Sequence, residues 1–140
     1  MKTILIAHRD AAFAERLTAD LRAGGFHVID CSGPQPPKER CIRCDKGYCP
    51  LTEAADVMIY DPLLTGVDAH GERNSLAAES AMAHPDVPML LAWVPPSVPD
   101  VGTLRSIRAH APNVHVAAHD SVALLRQIRA LLAPVPAVTR

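Results

Sequence analysis

Four cysteines carry the most pointed chemistry in this sequence. Cys41-Ile42-Arg43-Cys44 is a CxxC pair, Cys49-Pro50 follows it, and Cys31 lies upstream. A CxxC turn lets two thiolates grip one ion from a single knuckle, and Gly47 frees the chain to swing a third inward. Cys31 completes a closed set of four thiolates, which suits structural Zn²⁺ or an iron–sulfur cluster. Spacing does not choose between them. A lone CxxC is half of the common zinc pattern, and Cys49-Pro50 lacks the spacing of cluster-binding loops. A loop of free or redox-active thiols is the third reading. The charges around it (Lys38, Glu39, Arg40, Arg43, Asp45, Lys46) mark it as exposed.

Acidic, basic and imidazole side chains also recur at the ends of apolar runs. His8-Arg9-Asp10 follow Thr3–Ala7, Asp61-Pro62 follow Asp56–Tyr60, Trp93 lies near the end of Pro88–Val94, and His119-Asp120 follow Val114–Ala117. If those runs are strands of one open sheet, their carboxyl ends are where a ligand collects. His119 could meet Asp61, Asp10 or His8, and a His–Asp pair can move protons. No nucleophile or oxyanion device stands beside it. The plainer reading of Asp61 is a turn cap before Pro62, or a structural ion pair with Arg9. His70, His84 and His110 have no paired spacing and read as surface or capping residues. With no phosphate loop, dinucleotide fingerprint or nucleophile elbow, the chain is read as a non-enzyme.

Something must hold those residues at one edge. The four runs above and a shorter one, His27–Ile29, are nearly continuous in apolar character, as strands covered on both faces are. Helical patterns separate most of them. Asp10 caps a first helix with Phe13, Leu17 and Leu21 four apart, stopped by Gly24-Gly25. Another spans Ser75 to Ala83 and ends before Pro85. Asp100 caps a helix with Val101, Leu104 and Ile107 three apart. Asp120 or Ser121 opens the last, with Val122, Leu125, Ile128 and Leu132 as its apolar face. This rhythm predicts a three-layer, doubly wound α/β domain over residues 1–133, with five parallel strands. Residues 31–52 break it: a cysteine-rich insertion replaces most of the second helix, leaving a short turn from Pro50 to Ala55. A loop that long is uncommon without something to order it, and a bound ion would do so. Residues 134–140 read as a flexible tail.

The opening, KTILIAHRDAAFAERLTADLRAGGFHV, resembles a response-regulator receiver domain. So does Asp61 at the end of Val57-Met58-Ile59-Tyr60, with Gly66-Val67-Asp68 shortly after. The resemblance covers most of residues 2 to 133 apart from the insertion. It implies the flavodoxin-like (βα)5 receiver fold, Asp61 at the phospho-acceptor position, and signalling through a protein partner. Self-association through the fourth and fifth helices, as a homodimer, is the family's usual route. The departures are specific. Receivers place two acidic residues after the first strand to hold Mg²⁺; here His8 and Arg9 stand there and only the helix-capping Asp10 remains. Mg²⁺ prefers carboxylate oxygens, so it is not expected. A small hydroxyl residue after strand four is replaced around Ala92-Trp93, and a lysine after strand five by Ala118-His119-Asp120. Without the ion, phosphoryl transfer loses the charge that stabilises the transferring oxygens. Arg9 paired to Asp61 would mimic one charge state permanently.

Composition narrows the remaining classes. The chain has 140 residues, 49% hydrophobic and 21% charged, with a formal net charge of −1. That is globular, and no global field draws in nucleic acid or an anionic membrane. The longest apolar run is too short and proline-rich to span a bilayer. Met1 to Ala7 is cut short by His8-Arg9-Asp10, unlike a signal peptide, so a cytoplasmic location is expected. Thiols there stay reduced, which favours metal over disulfides. The expectation is a stand-alone receiver-like module that binds protein independently of phosphorylation, with a structural zinc. The alternative is a metal or redox sensor whose input is the cysteine cluster.

Overall fold

Ile4, Leu5 and Ile6 are all buried to within 1% exposure, so the first apolar run must be covered on both sides. In a computed structural model that describes residues 1–31, 33–34, 49–68 and 70–134, it is the strand β1, Thr3–Ala7. The other elements follow as α1 (Ala11–Ala23), β2 (His27–Cys31), α2 (Pro50–Glu53), β3 (Val57–Tyr60), β4 (Thr65–Val67), β5 (Arg73–Ser75), α3 (Leu76–Ala83), β6 (Met89–Leu91), α4 (Val101–Arg108), β7 (Val114–Val116) and α5 (Ser121–Leu132). Five parallel strands form one sheet in the order β2-β1-β3-β6-β7, as the strand–helix rhythm requires. The expected α/β doubly wound receiver fold is the observed one.

The strands look uniformly apolar because alternate residues fill two different cores. Leu5, Ala7, Met58, Tyr60, Met89 and Leu91 meet Leu76, Ala77 and Ala81 of α3 and Ile107 of α4 on one face. Ile4, Ile6, Val57, Ile59, Leu90 and Ala92 meet Ala14, Leu17 and Leu21 of α1 and Leu124 and Ile128 of α5 on the other. The aspartate caps fall where expected: Asp10, Asp100 and Asp120 accept the backbone N–H of Phe13, Thr103 and Ala123. Ser75 caps α3 in the same way through Ala78. Asn113 joins the layers, its side-chain amide donating to the carbonyls of Val87 at 2.7 Å and His84 at 3.1 Å.

Several sequence expectations need correction. Strands β6 and β7 stop at Leu91 and Val116, short of Val94 and Ala117, while β2 runs on to Cys31. Val122 is 65% exposed, so the inward face of α5 is centred on Leu124 and Ile128. At about 100° per residue, Val122 lies roughly 200° from Leu124. Val101 is also 65% exposed, because steps of three drift around the helix, so that Ile107 is buried and Leu104 packs only half-buried against the core. A two-stranded antiparallel hairpin, β4–β5, was not expected. Its turn is built on Asp68, which accepts from the backbone of His70 at 2.8 Å and of Glu72 at 3.0 Å, and from the Asn74 side chain at 3.1 Å. Gly71 supplies the positive φ of 80° that closes it. Residues 35–48 of the cysteine-rich insertion and 135–140 of the tail lie outside the described residues.

Candidate functional site

Strand register alone brings three chain positions together. Ala7 pairs with Tyr60 and Tyr60 with Leu91, so the next residues, His8, Asp61 and Ala92, stand side by side at the carboxyl edge. By strand alternation His8, Asp61 and Ala92 share the α1–α5 side of the sheet.

Asp61 is 2% exposed, and its carboxylate is fully engaged. Oδ1 accepts the Leu63 backbone N–H at 2.9 Å. Oδ2 accepts both the Arg9 guanidinium Nε–H and, at 3.3 Å, the Arg9 backbone N–H. The guanidinium reaches in from the surface, its side chain 55% exposed, so it seals the carboxylate against solvent while remaining hydrated itself. The structural pairing expected for Arg9 and Asp61 is formed.

His8 is nearly buried and committed at both nitrogens. Nδ1 accepts the Asp10 backbone N–H at 3.0 Å, and Nε2 lies 3.0 Å from the Ala92 carbonyl, to which it donates. That pair of bonds defines the neutral Nε2–H tautomer. The 3.8 Å approach of Nδ1 to Asp61 is accordingly not an ion pair. The ring also leans on Phe13, centroids 4.9 Å apart. Asp10 spends its own carboxylate on the α1 cap at 2.9 Å.

The donor set does not fit Mg²⁺. His8 has no lone pair to offer, Asp10 is turned to its helix, and a guanidinium already lies against Oδ2 of Asp61.

Trp93 and His119 do not join this cluster. They line a neighbouring crevice with Phe13, Leu17, Pro95 and Leu124. His119 is exposed, and among the described residues no hydrogen bond or ion pair links it to Asp61, so the His119–Asp61 acid–base pair is not assembled. On the opposite face, Cys31 and Cys49 line one apolar cavity of about 480 Å³ with Tyr60, Leu64, Leu76 and Pro34. Cys41 and Cys44 lie outside the described residues. Among the described residues alone, no group of three or more His, Cys, Asp or Glu could hold a metal.

Sequence reasoning missed the backbone partners of the site. The Ala92 carbonyl and Leu63 amide have no side-chain signature, and only the register would have exposed them.

Comparison with known proteins agrees with the topology. The chain matches a receiver domain from Clostridium thermocellum with a TM-score of 0.63 at 14% identity, covering 94% of each chain. It matches the non-phosphorylated HemR receiver domain from Leptospira biflexa at 0.61 and 16%, covering 99% of this chain and 100% of that one. A pilus assembly protein from Burkholderia thailandensis matches at 0.61 and 19%, over 94% and 98%. These likenesses define a receiver fold. No family model and no curated protein matches the sequence. No described helix is long and apolar enough to cross a membrane.

Proposed function

We propose that this chain is a receiver-like regulatory module that acts by binding protein, not by catalysis, and that its output does not depend on phosphorylation. The Arg9 guanidinium on the buried Asp61 carboxylate carries this reading. A phosphoryl acceptor needs a free oxygen and a divalent cation beside it; here a fixed positive charge occupies that place. The fold neighbours include a response-regulator receiver and a pilus assembly protein, so the scaffold serves more than one setting and the site must decide. The test is incubation with a small acyl-phosphate donor and Mg²⁺, read by intact mass and by amide chemical shifts. No added phosphoryl mass and unchanged shifts around Asp61 are expected. A phosphoryl adduct that is abolished by Asp61→Asn would overturn the reading.

A second reading concerns the cysteines. Cys31 and Cys49 lie in the wall of one cavity, at the end of β2 and the start of α2, which supports their acting as a set with Cys41 and Cys44. Such a set would hold zinc as a structural staple, in the reducing cytoplasm, or an iron–sulfur cluster as a sensor. Elemental analysis of protein purified without oxygen separates them. One zinc per chain supports the staple; iron with sulfide supports the sensor; no metal removes both.

A further inference from the structure

Ala7 and Tyr60 end β1 and β3 as neighbours in the sheet, and His8 and Asp61 follow them in the chain. His8 and Asp61 share the α1–α5 side, so Ala7 and Tyr60 turn to the other, where they line the cavity of about 480 Å³. That cavity lies between the sheet and the described ends of the cysteine-rich insertion. Its floor belongs to the packed core, with Ala7, Tyr60, Leu76 and Ser80 each at most 5% exposed. Its rim is formed by Gly33 on one side and by Cys49 and Leu51, at the start of α2, on the other. Gly33 has a φ of 83°, and a Cβ there would lie 2.7 Å from Leu64 Cδ1. Glycine therefore lets the chain close down on the cavity at that point.

We infer that this cavity is a binding site for an uncharged, largely apolar small molecule carrying one hydrogen-bond donor. The inference goes beyond the protein-binding reading, because it gives the module a chemical input. The lining selects the chemistry. None of the described residues around the cavity is charged, so an ionised ligand would lose its hydration without gaining a counter-charge. The thiols of Cys31 and Cys49 present soft, weakly polar surfaces. The other side-chain polarity among the described residues is a hydroxyl pair, in which Ser80 Oγ donates to Tyr60 Oη at 2.9 Å. Having donated its proton, Ser80 Oγ keeps lone pairs that can accept one O–H or N–H from a ligand. The volume falls within the roughly 300–1,000 Å³ typical of sites that enclose a small organic molecule. The sequence joining the two sides of the rim, residues 35–48, is a poor match for such a lining. Six of its fourteen side chains are charged, and Ile42 and Tyr48 are its large apolar ones. A bound molecule would press on Ala7 and Tyr60, each one residue from the His8–Asp61 edge, and so reach the site that a phosphoryl group would otherwise control.

The probe is N-phenyl-1-naphthylamine, an uncharged aromatic amine with one N–H whose fluorescence rises in apolar surroundings, titrated against the full chain. Its comparison is 8-anilinonaphthalene-1-sulfonate, which keeps the same frame and adds a negative charge. The amine should bind saturably, and the sulfonate about tenfold more weakly or worse. Amide shifts on adding the amine should centre on Ala7, Tyr60 and Leu76. Leu51→Trp, which puts a larger side chain at the rim, should weaken the amine by about tenfold or more with little change in the urea midpoint. Val122→Trp, an apolar change on the exposed side of α5, should leave the affinity as it was. No saturable binding, equal affinity for the sulfonate, shifts centred elsewhere, or a folded Leu51→Trp that binds as the parent does would overturn the inference. If Leu51→Trp does not fold, the shift map of the parent chain decides. Failure here leaves the phosphoryl-donor result untouched, so the two readings fall separately.

Discussion

A carboxylate buried as deeply as Asp61 must be satisfied by partners the fold supplies, because water cannot reach it. Leu63 and Arg9 supply backbone N–H groups, and the Arg9 guanidinium supplies the counter-charge. Arg9→Ala removes the counter-charge and leaves the backbone donors. Because the arginine is half in water, the expected loss is about 1–2 kcal/mol, less than for a fully buried pair. Arg9→Ala combined with Asp61→Asn should recover much of that loss in urea unfolding, since the stranded charge is gone. A double variant no more stable than Arg9→Ala alone would mean that the pair contributes little. The pairing of Arg9 with Asp61 was legible from the sequence, as both follow strands. The tautomer of His8 was not, since it depends on the Asp10 amide and the Ala92 carbonyl, which register alone places.

Caps and turns set the elements, and they are where pH acts. The Thr103 hydroxyl and amide hold Asp100 below its ordinary value of 3.8, and the Glu72 amide, with help from Asn74 and His70, does the same for Asp68. In each case the folded value is the lower one, so the unfolded chain takes up protons first as the solution is acidified. The stabilisation is therefore complete above about pH 4–5 and is lost as pH falls through the depressed values. Thr103→Val deletes the largest cause at Asp100. Its urea midpoint should fall less than that of the parent between about pH 4.5 and 2.5, with the remaining decline belonging to Asp68 and other carboxylates. Equal declines would show that the Thr103 hydroxyl does not tune Asp100. The caps at Asp10, Asp100 and Asp120 were readable because each stands just before an apolar helical pattern. The β4–β5 hairpin was not, because Thr65-Gly66-Val67 and Arg73-Asn74-Ser75 show no alternation of apolar and polar residues. Its specification lies in the Asp68 turn. On α5 only Val122 was misplaced: Leu125, Leu131 and Leu132 pack half-buried against the core beside the buried Leu124 and Ile128, and it is packing against α1 and the sheet that leaves Val122 outside.

At the scale of the molecule, one central sheet divides two cores, and strands with alternating destinations tie them together. Leu91 is fully buried in the core beneath α3 and α4, and Ile128 is fully buried in the core beneath α1 and α5. Neighbouring residues on β6, Leu90 and Leu91, enter opposite cores, so neither core can open without disturbing the strand that serves both. Leu91→Ala and Ile128→Ala should each cost about 2–5 kcal/mol, the range for a large aliphatic side chain lost from a packed interior. The more discriminating expectation is cooperativity: fluorescence of Trp93, whose ring packs against the first core, and far-ultraviolet dichroism should report one coincident transition in both variants. A Trp93 transition that moves in Leu91→Ala while the dichroism transition stays behind would instead mean that the two layers unfold separately. The doubly wound sheet would then be a platform carrying two semi-independent faces, and a change at the cysteine-lined cavity could not be transmitted through the sheet to the Arg9–Asp61 edge.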